Sequence, residues 1–250
     1  MVEIEVLCNF CDDLLSCNDF EDACSNGLQV EGDRPIRCLV SGVTASQALI
    51  GAAADLGADA ILVHHGYFWK GESPCLVGMK GRRVRGLMRS GMSLLTFHLP
   101  LDAHPELGNN RQLARVLGIL DVRPAGGGPG LLWQGRLPRP MPSGDFAESM
   151  AQLLGREPLV IRGHERPVES LAWCTGAGQG YIQEASDLGV DAFLSGEISE
   201  QTTHQARELG LSYFAAGHDA TERYGVQALG EHVAEHFGLE HRFFDLDNPA

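Results

Sequence analysis

The sequence predicts an α/β fold of two similar lobes, each a mixed or parallel sheet covered by helices, with a metal cleft between them. Three observations carry that expectation. Short apolar runs rich in branched residues alternate with amphipathic helical stretches, which is the pattern of strand–helix–strand units. The segment Asp55-Leu56-Gly57-Ala58-Asp59-Ala60-Ile61-Leu62 returns as Asp187-Leu188-Gly189-Val190-Asp191-Ala192-Phe193-Leu194, a step of 132 residues (187 − 55). Later, His98-Leu99-Pro100-Leu101-Asp102 is echoed by His218-Asp219-Ala220-Thr221-Glu222 at a step of 120 (218 − 98). Leu39 and Leu171, and Gln47 and Gln179, also keep the longer step. The difference of 12 (132 − 120) implies extra residues in the first half, which the Tyr67–Met79 loop would supply.

Element by element, residues 3–16 have near-helical apolar spacing and read as a first helix. Cys24 to Gly32 is turn-rich, its Asn26-Gly27 pair suited to positive φ. Arg37–Val43 reads as a strand, and Thr44 or Ser46 as the cap of a helix that ends at Gly57. Asp59–Val63 is a buried strand that delivers His64 and His65 to its C-terminal end, where open α/β sheets bind ligands. Successive side chains on a strand point to opposite faces, so the two histidines are expected to diverge unless the strand ends between them. A helix near 80–90, a strand Ser93–Phe97 and a helix at 109–117 follow. Pro124-Ala125-Gly126-Gly127-Gly128-Pro129-Gly130 is the clearest break and sets expected lobes of 1–125 and 126–250. In the second half, strands are expected at Leu131–Leu137, Leu159–Ile161, Ser170–Cys174, Asp191–Leu194, Leu211–Ala215 and 241–246. Helices are expected at Asp145–Leu154, 179–188, 199–209 and 220–237.

Bulk properties exclude several classes. A net charge of −14 argues against nucleic-acid or anionic-membrane binding over the whole surface. The one basic run, Lys80 to Arg89, reads as a solvated helix face or a contact for an anionic partner. No stretch reaches the ~20 apolar residues of a membrane helix. Met1–Phe10 carries two glutamates and no basic residue, unlike a secretory leader. Seven cysteines, an odd number, fit the reduced thiols of a cytoplasmic protein better than a disulfide framework. Cys8 and Cys11, followed by Cys17 and Cys24, lack the second tight pair of a structural zinc site.

Candidate metal donors sit just after expected strands in both halves: His64, His65, His98 and Asp102 in the first, Glu197, His218 and Glu222 in the second. His218 and Glu222, four apart, share a helix face. Mixed imidazole and carboxylate donors suit zinc, iron, manganese or nickel better than calcium or magnesium. Read singly, each residue has a structural alternative: a helix cap for His218, a first-turn carboxylate for Glu222, a turn for Asp102. Tyr67 and Trp69, in a loop of three consecutive aromatics, are candidates to stack a planar substrate or to bury a subunit contact.

Together, Asn26-Gly27-Leu28-Gln29-Val30-Glu31-Gly32, Val63-His64-His65-Gly66, His98-Leu99-Pro100-Leu101-Asp102 and Gly217-His218-Asp219-Ala220-Thr221-Glu222 resemble the NIF-three-like dinuclear metal-centre proteins. These are often labelled GTP cyclohydrolase I type-two homologues, and the likeness is strongest to the short bacterial members of the YbgI kind. The resemblance implies a homo-oligomer, a ring-shaped hexamer built as a trimer of dimers, with two divalent metal ions per subunit. It implies that His64 and His218 hold one ion, His65 and Asp102 the other, and that Glu222 bridges them. It makes His98 and Glu197 candidates for catalysis, and His204 a further candidate for the substrate side.

The activity expected on this basis is metal-dependent hydrolysis of a nucleotide or a related small heterocyclic or phosphorylated compound. Opening a guanine ring needs a nucleophilic water at the purine C8 and a general acid for the departing nitrogen. A non-catalytic metal-binding scaffold or regulator acting through partners is the rival expectation.

Overall fold

The computed structural model describes residues 1–126 and 130–250. The chain forms two compact units, Met1–Gly108 with Gly225–Asp247, and Asn109–Tyr224 with Asn248–Ala250.

The first unit begins with helix α1 (Ile4–Leu15), whose buried Ile4, Leu7, Cys8, Cys11 and Leu15 recur at helical spacing. Its strands are β1 (Gly27–Val30), β2 (Cys38–Thr44), β3 (Ala60–His65) and β4 (Ser93–Thr96). Between them run α2 (Gln47–Leu56) and α3 (Gly78–Ser90), and α4 (Leu99–Ala103) follows β4. The Ser46 side chain accepts the Leu49 N–H, which caps α2, and Gly57 ends it in the left-handed region. Of the two expected caps, Ser46 is therefore the one used, while Thr44 closes β2.

The second unit contains α5 (Asn109–Val116), β5 (Leu120–Pro124), β6 (Trp133–Met141), α6 (Ser143–Leu154), β7 (Leu159–Ile161) and β8 (Val168–Cys174). It continues with α7 (Ile182–Asp187), β9 (Ala192–Ser195), α8 (Glu200–Leu209) and β10 (Ser212–Ala215). Helix α9 (His218–Phe237) gives its first residues to this unit and those from Gly225 onward to the first unit, which β11 (Glu240–Phe243) completes.

The sheets are ordered β1-β4-β3-β2-β11 and β5-β6-β8-β9-β10-β7. In each, three neighbouring strands are parallel, β2, β3, β4 and β8, β9, β10, with a short antiparallel strand, β1 or β7, beside the last of them; on the other side stands parallel β11 in the first sheet and antiparallel β6 in the second. The repeat seen in the sequence is therefore a repeat of topology. Leu39 pairs with Ala60, and Leu171 with Ala192, at the same step of 132. The strand β4 to β10 step is 119 (212 − 93), so the first half carries 13 extra residues before that strand. The second half regains one before its histidine, giving the step of 120.

Two expectations are revised. The glycine-rich break is not a lobe boundary: β5 and β6 on either side of it pair in one sheet, and Ala125 N–H donates to Leu132. Gly127, Gly128 and Pro129 lie outside the described residues. The units instead part at Gly108, and β11 returns to the first sheet by pairing with β2. Strand β1, helix α4 and strand β5 were not anticipated, because turn-forming residues and Pro100 mask such short elements. Pro138 and Pro140 are tolerated inside β6 because they fall where its register with β8 breaks.

One carboxylate in each unit sets strand register. Asp59 Oδ2 accepts the N–H groups of Arg37 (2.9 Å) and Cys38 (3.0 Å). Asp191 Oδ2 accepts those of Glu169 (3.1 Å) and Ser170 (3.0 Å), residues one repeat step further on. Each aspartate thus pins the entry of one strand to its neighbour. Burial alone would raise the Asp191 pKa, but the Ser170 and Glu169 N–H groups, the Ser170 hydroxyl and Arg166 hold it below its ordinary value.

Asp191→Ala leaves those donors unmet and should cost about 1–3 kcal/mol at neutral pH, read by urea denaturation through the buried Trp133 and Trp173. Because the folded pKa is depressed, the contribution is present above the ordinary value of about 4 and fades as pH falls through the folded value. The gap between wild type and variant should therefore narrow in acid; a gap independent of pH would contradict this role.

Candidate metal centre

The candidate donors occupy the C-terminal ends of the parallel strands of their own sheets. In the first unit His64 and His65 end β3, and His98 follows β4 and caps α4, which carries Asp102. In the second, Glu197 lies two residues past β9, and His218 opens α9, which carries Glu222.

Each of the four histidines has its Nδ1 engaged within its own unit. His64 Nδ1 meets the Phe97 carbonyl at 2.9 Å, His65 Nδ1 the Thr44 hydroxyl at 3.2 Å, and His98 Nδ1 Asp22 at 2.8 Å. His218 Nδ1 meets Glu197 at 2.7 Å. A partner on one ring nitrogen selects the tautomer and aims the other nitrogen, an arrangement shared by metal-ligating histidines. Nε2 is left as the donor in all four. His64 Nε2 lies 3.5 Å from Asp102 Oδ1, and His218 Nε2 3.0 Å from Glu222 Oε2.

His64 is fully buried and His65 partly exposed, yet their rings do not diverge as strand alternation predicts. The centroids stand 4.6 Å apart, and lie 5.0 and 5.7 Å from the His98 ring. The tethers to Phe97 and Thr44 turn both rings past the end of the strand. Nitrogens of His64, His65 and His98 lie within 4.8 Å of one another, a group that could hold an ion.

In the second unit the Glu222 carboxylate is 3% exposed and needs a positive partner. Burial disfavours charge on His218, but hydrogen bonds and charge from Glu222 and Glu197 outweigh it and raise its pKa to about 9. A divalent cation would meet the same need. The loop after β8 makes room for the pair. Gly176 has φ +62°, and a Cβ there would collide with Glu222 Oε1 and lie 3.1 Å from His218 Nε2. Thr221 locks that loop to α9 by accepting the Gly176 N–H at 3.0 Å while donating to the Gly217 carbonyl at 2.9 Å. Mixed imidazole and carboxylate donors with oriented Nε2 atoms fit zinc, iron, manganese or nickel.

The Asn26-to-Gly32 stretch serves this site. Gln29 Oε1 accepts the Tyr67 N–H at 2.7 Å, and its Nε2 donates to the Tyr67 carbonyl at 2.8 Å, clamping the loop after the two histidines. Gly66 permits this approach, because a Cβ would strike Thr96 Oγ1 and Gln29 Oε1. Asn26 Oδ1 accepts the His98 N–H at 2.7 Å.

Other candidates fall elsewhere. Glu197 touches His218 Nδ1 and so orients a donor. Tyr67 is buried, its hydroxyl donating to the Ala45 carbonyl, so it plugs the core of the first unit rather than offering a stacking face. Trp69 is half-buried and packs edge-on to His98 at 4.9 Å. His204 is exposed on α8 and pairs with Glu200 at 3.2 Å. Asp22, which anchors His98, carried no sequence signal; it lies 76 residues away and outside any motif. The seven cysteines form no disulfide among themselves. Burial pushes Cys8 up to about 11, and Cys17 and Cys24 up to about 12, which disfavours the thiolate that zinc requires. Among the described residues, the groups near enough to share an ion contain no cysteine.

Gly176→Ala should destabilise the second unit by about 1–3 kcal/mol, from left-handed strain and the collision with Glu222. Gly180→Ala is the control, since a Cβ there meets open space. Equal thermal shifts for the two variants would refute the cradle.

The likenesses to known proteins extend over the whole chain. A protein of Allochromatium vinosum named GTP cyclohydrolase 1 type 2 homolog is 60% identical over 250 residues, spanning 100% of this chain and 98% of that relative. One of the same name from Pseudomonas aeruginosa is 53% identical over 251 residues, with 100% and 99% spanned. Among solved structures, the protein ybgI, described as of unknown function, has a TM-score of 0.96 at 48% identity, with all of both chains covered. A protein from Thermus thermophilus has a TM-score of 0.90 at 38% identity over the same full extent. Reduced HcgD from Methanocaldococcus jannaschii, at 23% identity and a TM-score of 0.84 over 98% of each chain, shares the fold. No helix among the described residues is long and apolar enough to cross a membrane. The Duf34/NIF3 (NGG1p interacting factor 3) family model matches residues 2–249, and the chain belongs to that family.

Proposed function

We propose that this protein binds two divalent metal ions through His64, His65, Asp102, His218 and Glu222, and uses them to hydrolyse a nucleotide or a related small heterocyclic or phosphorylated compound. The observation that carries the reading is the fixed Nδ1 of His64, His65, His98 and His218, which turns their Nε2 atoms to the donor role, with Asp102 near His64 and Glu222 near His218. In the assignment that follows from the family likeness, His64 and His218 hold one ion, His65 and Asp102 the other, and Glu222 bridges. Bound there, the ions would supply Lewis acidity for water and for polar substrate atoms at neutral pH. Glu197 holds the His218 ring in its donor orientation. Trp69, half-buried beside His65 and His98, offers the aromatic surface on which a planar base would stack. The names of the relatives point to the same substrate class. A ring-shaped homohexamer in the cytoplasm is part of this reading.

Protein purified without chelator or metal-affinity resin should contain close to two transition-metal ions per chain by elemental mass spectrometry. His65→Ala or Glu222→Ala should remove most of that metal. An empty protein, even after reconstitution with zinc, iron and manganese, would end the metal reading. Metal-loaded wild type should convert GTP or a related nucleotide, followed by chromatography across a wide pH range, with activity lost in Glu222→Ala. Unchanged nucleotides throughout would remove the hydrolase assignment and leave a metal-binding scaffold.

A further inference from the structure

Resting on that metal reading, we propose that His98 is a further metal donor, a third imidazole beside His64 and His65, and that Asp22 is its positioning residue. Asp22 is tied down on every side. Its Oδ1 accepts the Cys24 N–H at 3.1 Å, and its Oδ2 accepts from Asn26 Nδ2 and from the Leu99 N–H, both at 3.0 Å. The remaining contact, 2.8 Å to His98 Nδ1, is made by a side chain only 3% exposed. The Asp22 carboxylate accepts from Nδ1–H, which leaves the lone pair on Nε2.

The backbone is held as firmly as the ring. Asn26 accepts the His98 N–H while donating to Asp22, so one short segment grips the histidine at two points. Trp69, whose Nε1 donates to the Gly66 carbonyl, closes the other side of the ring. The mutual 4.8 Å limit for the three histidine donors compares with about 3.3–3.4 Å between two nitrogens on one tetrahedral zinc ion. Donors within that limit form a group that could hold a metal ion. Carboxylate, imidazole and metal in series is a recurrent support for a ligand, and loss of the outer carboxylate typically costs about 10- to 100-fold in affinity.

The test uses the full chain and zinc alone, with affinity read by competition against a chromophoric chelator. Asp22→Asn should weaken zinc about 10- to 100-fold, and His98→Ala at least as much. The double variant should bind no more weakly than His98→Ala, because Asp22 acts through His98. In histidine-labelled wild type, the ¹⁵N resonance of His98 Nε2 should move when zinc is added, a shift that a purely structural role would not produce. Thermal unfolding of the metal-free variants reports separately on the backbone contacts that Asp22 also makes. Additive losses in the double variant, wild-type affinity in either single variant, or a stationary Nε2 resonance would each overturn the proposal. His64→Ala separates the two readings. If it loses zinc while Asp22→Asn and His98→Ala keep it, the metal reading stands and this one falls. If wild type takes no zinc, both fall.

Discussion

The geometry of both candidate donor sets depends on strand register, and in each sheet a single aspartate holds it. Asp59 and Asp191 accept two consecutive backbone N–H groups from the neighbouring parallel strand. Because side chains alternate with a period of two, a slip of one residue would exchange every buried position for its neighbour. In β3 such a slip would expose the apolar run that precedes His64 and carry the histidines away from Phe97 and Thr44. The same clamp in β8 and β9 fixes where Gly176 and Glu197 fall relative to each other. The two units repeat a clamp as well as a topology.

From that shared scaffold the units have diverged in chemistry. Thr44 and His65 in the first unit correspond to Gly176 and Glu197 in the second, one repeat step apart. The first unit uses its strand tips to hold imidazoles directly. The second uses Glu197 to orient the His218 imidazole, and leaves out a side chain at Gly176 so that Glu222 has room. A shortage of nitrogen donors in the second unit is thus matched by a buried carboxylate.

Orientation of the rings is the second constraint. A histidine that merely sits near an ion can offer either nitrogen, and the wrong tautomer offers none. Here a backbone carbonyl, a hydroxyl and two carboxylates hold the four Nδ1 atoms. None of these partners is adjacent in sequence to the histidine it holds; they come from the next strand or from the segment before β1. The Asn26-to-Gly32 stretch, which reads as a turn, forms an edge strand and supplies Gln29 and Asn26 as clamps on the two donor-bearing loops. Its role is to position the site.

The sequence by itself determined the α/β class, the repeat, most helices and central strands, and which histidines and carboxylates stand as candidate donors just past the strands. Those features are local: apolar periodicity, caps, and short motifs whose residues lie within a few positions of one another. It also placed the paired His-x-x-x-carboxylate motifs just after a strand in each half. Only the tertiary structure decided what depends on distant contacts. The unit boundary moved to Gly108 because β5 and β6 pair across the glycine-rich stretch, and β11 joins the first sheet through a partner some 200 residues earlier. Tyr67, a candidate from sequence for stacking a substrate or burying a subunit contact, has its hydroxyl buried against the Ala45 carbonyl of its own unit. His64 and His65 converge because tethers from Phe97 and Thr44 override the alternation of a free strand. Asp22 was invisible because a carboxylate gains its meaning from the ring it holds, and no local pattern records a pairing across 76 residues of chain.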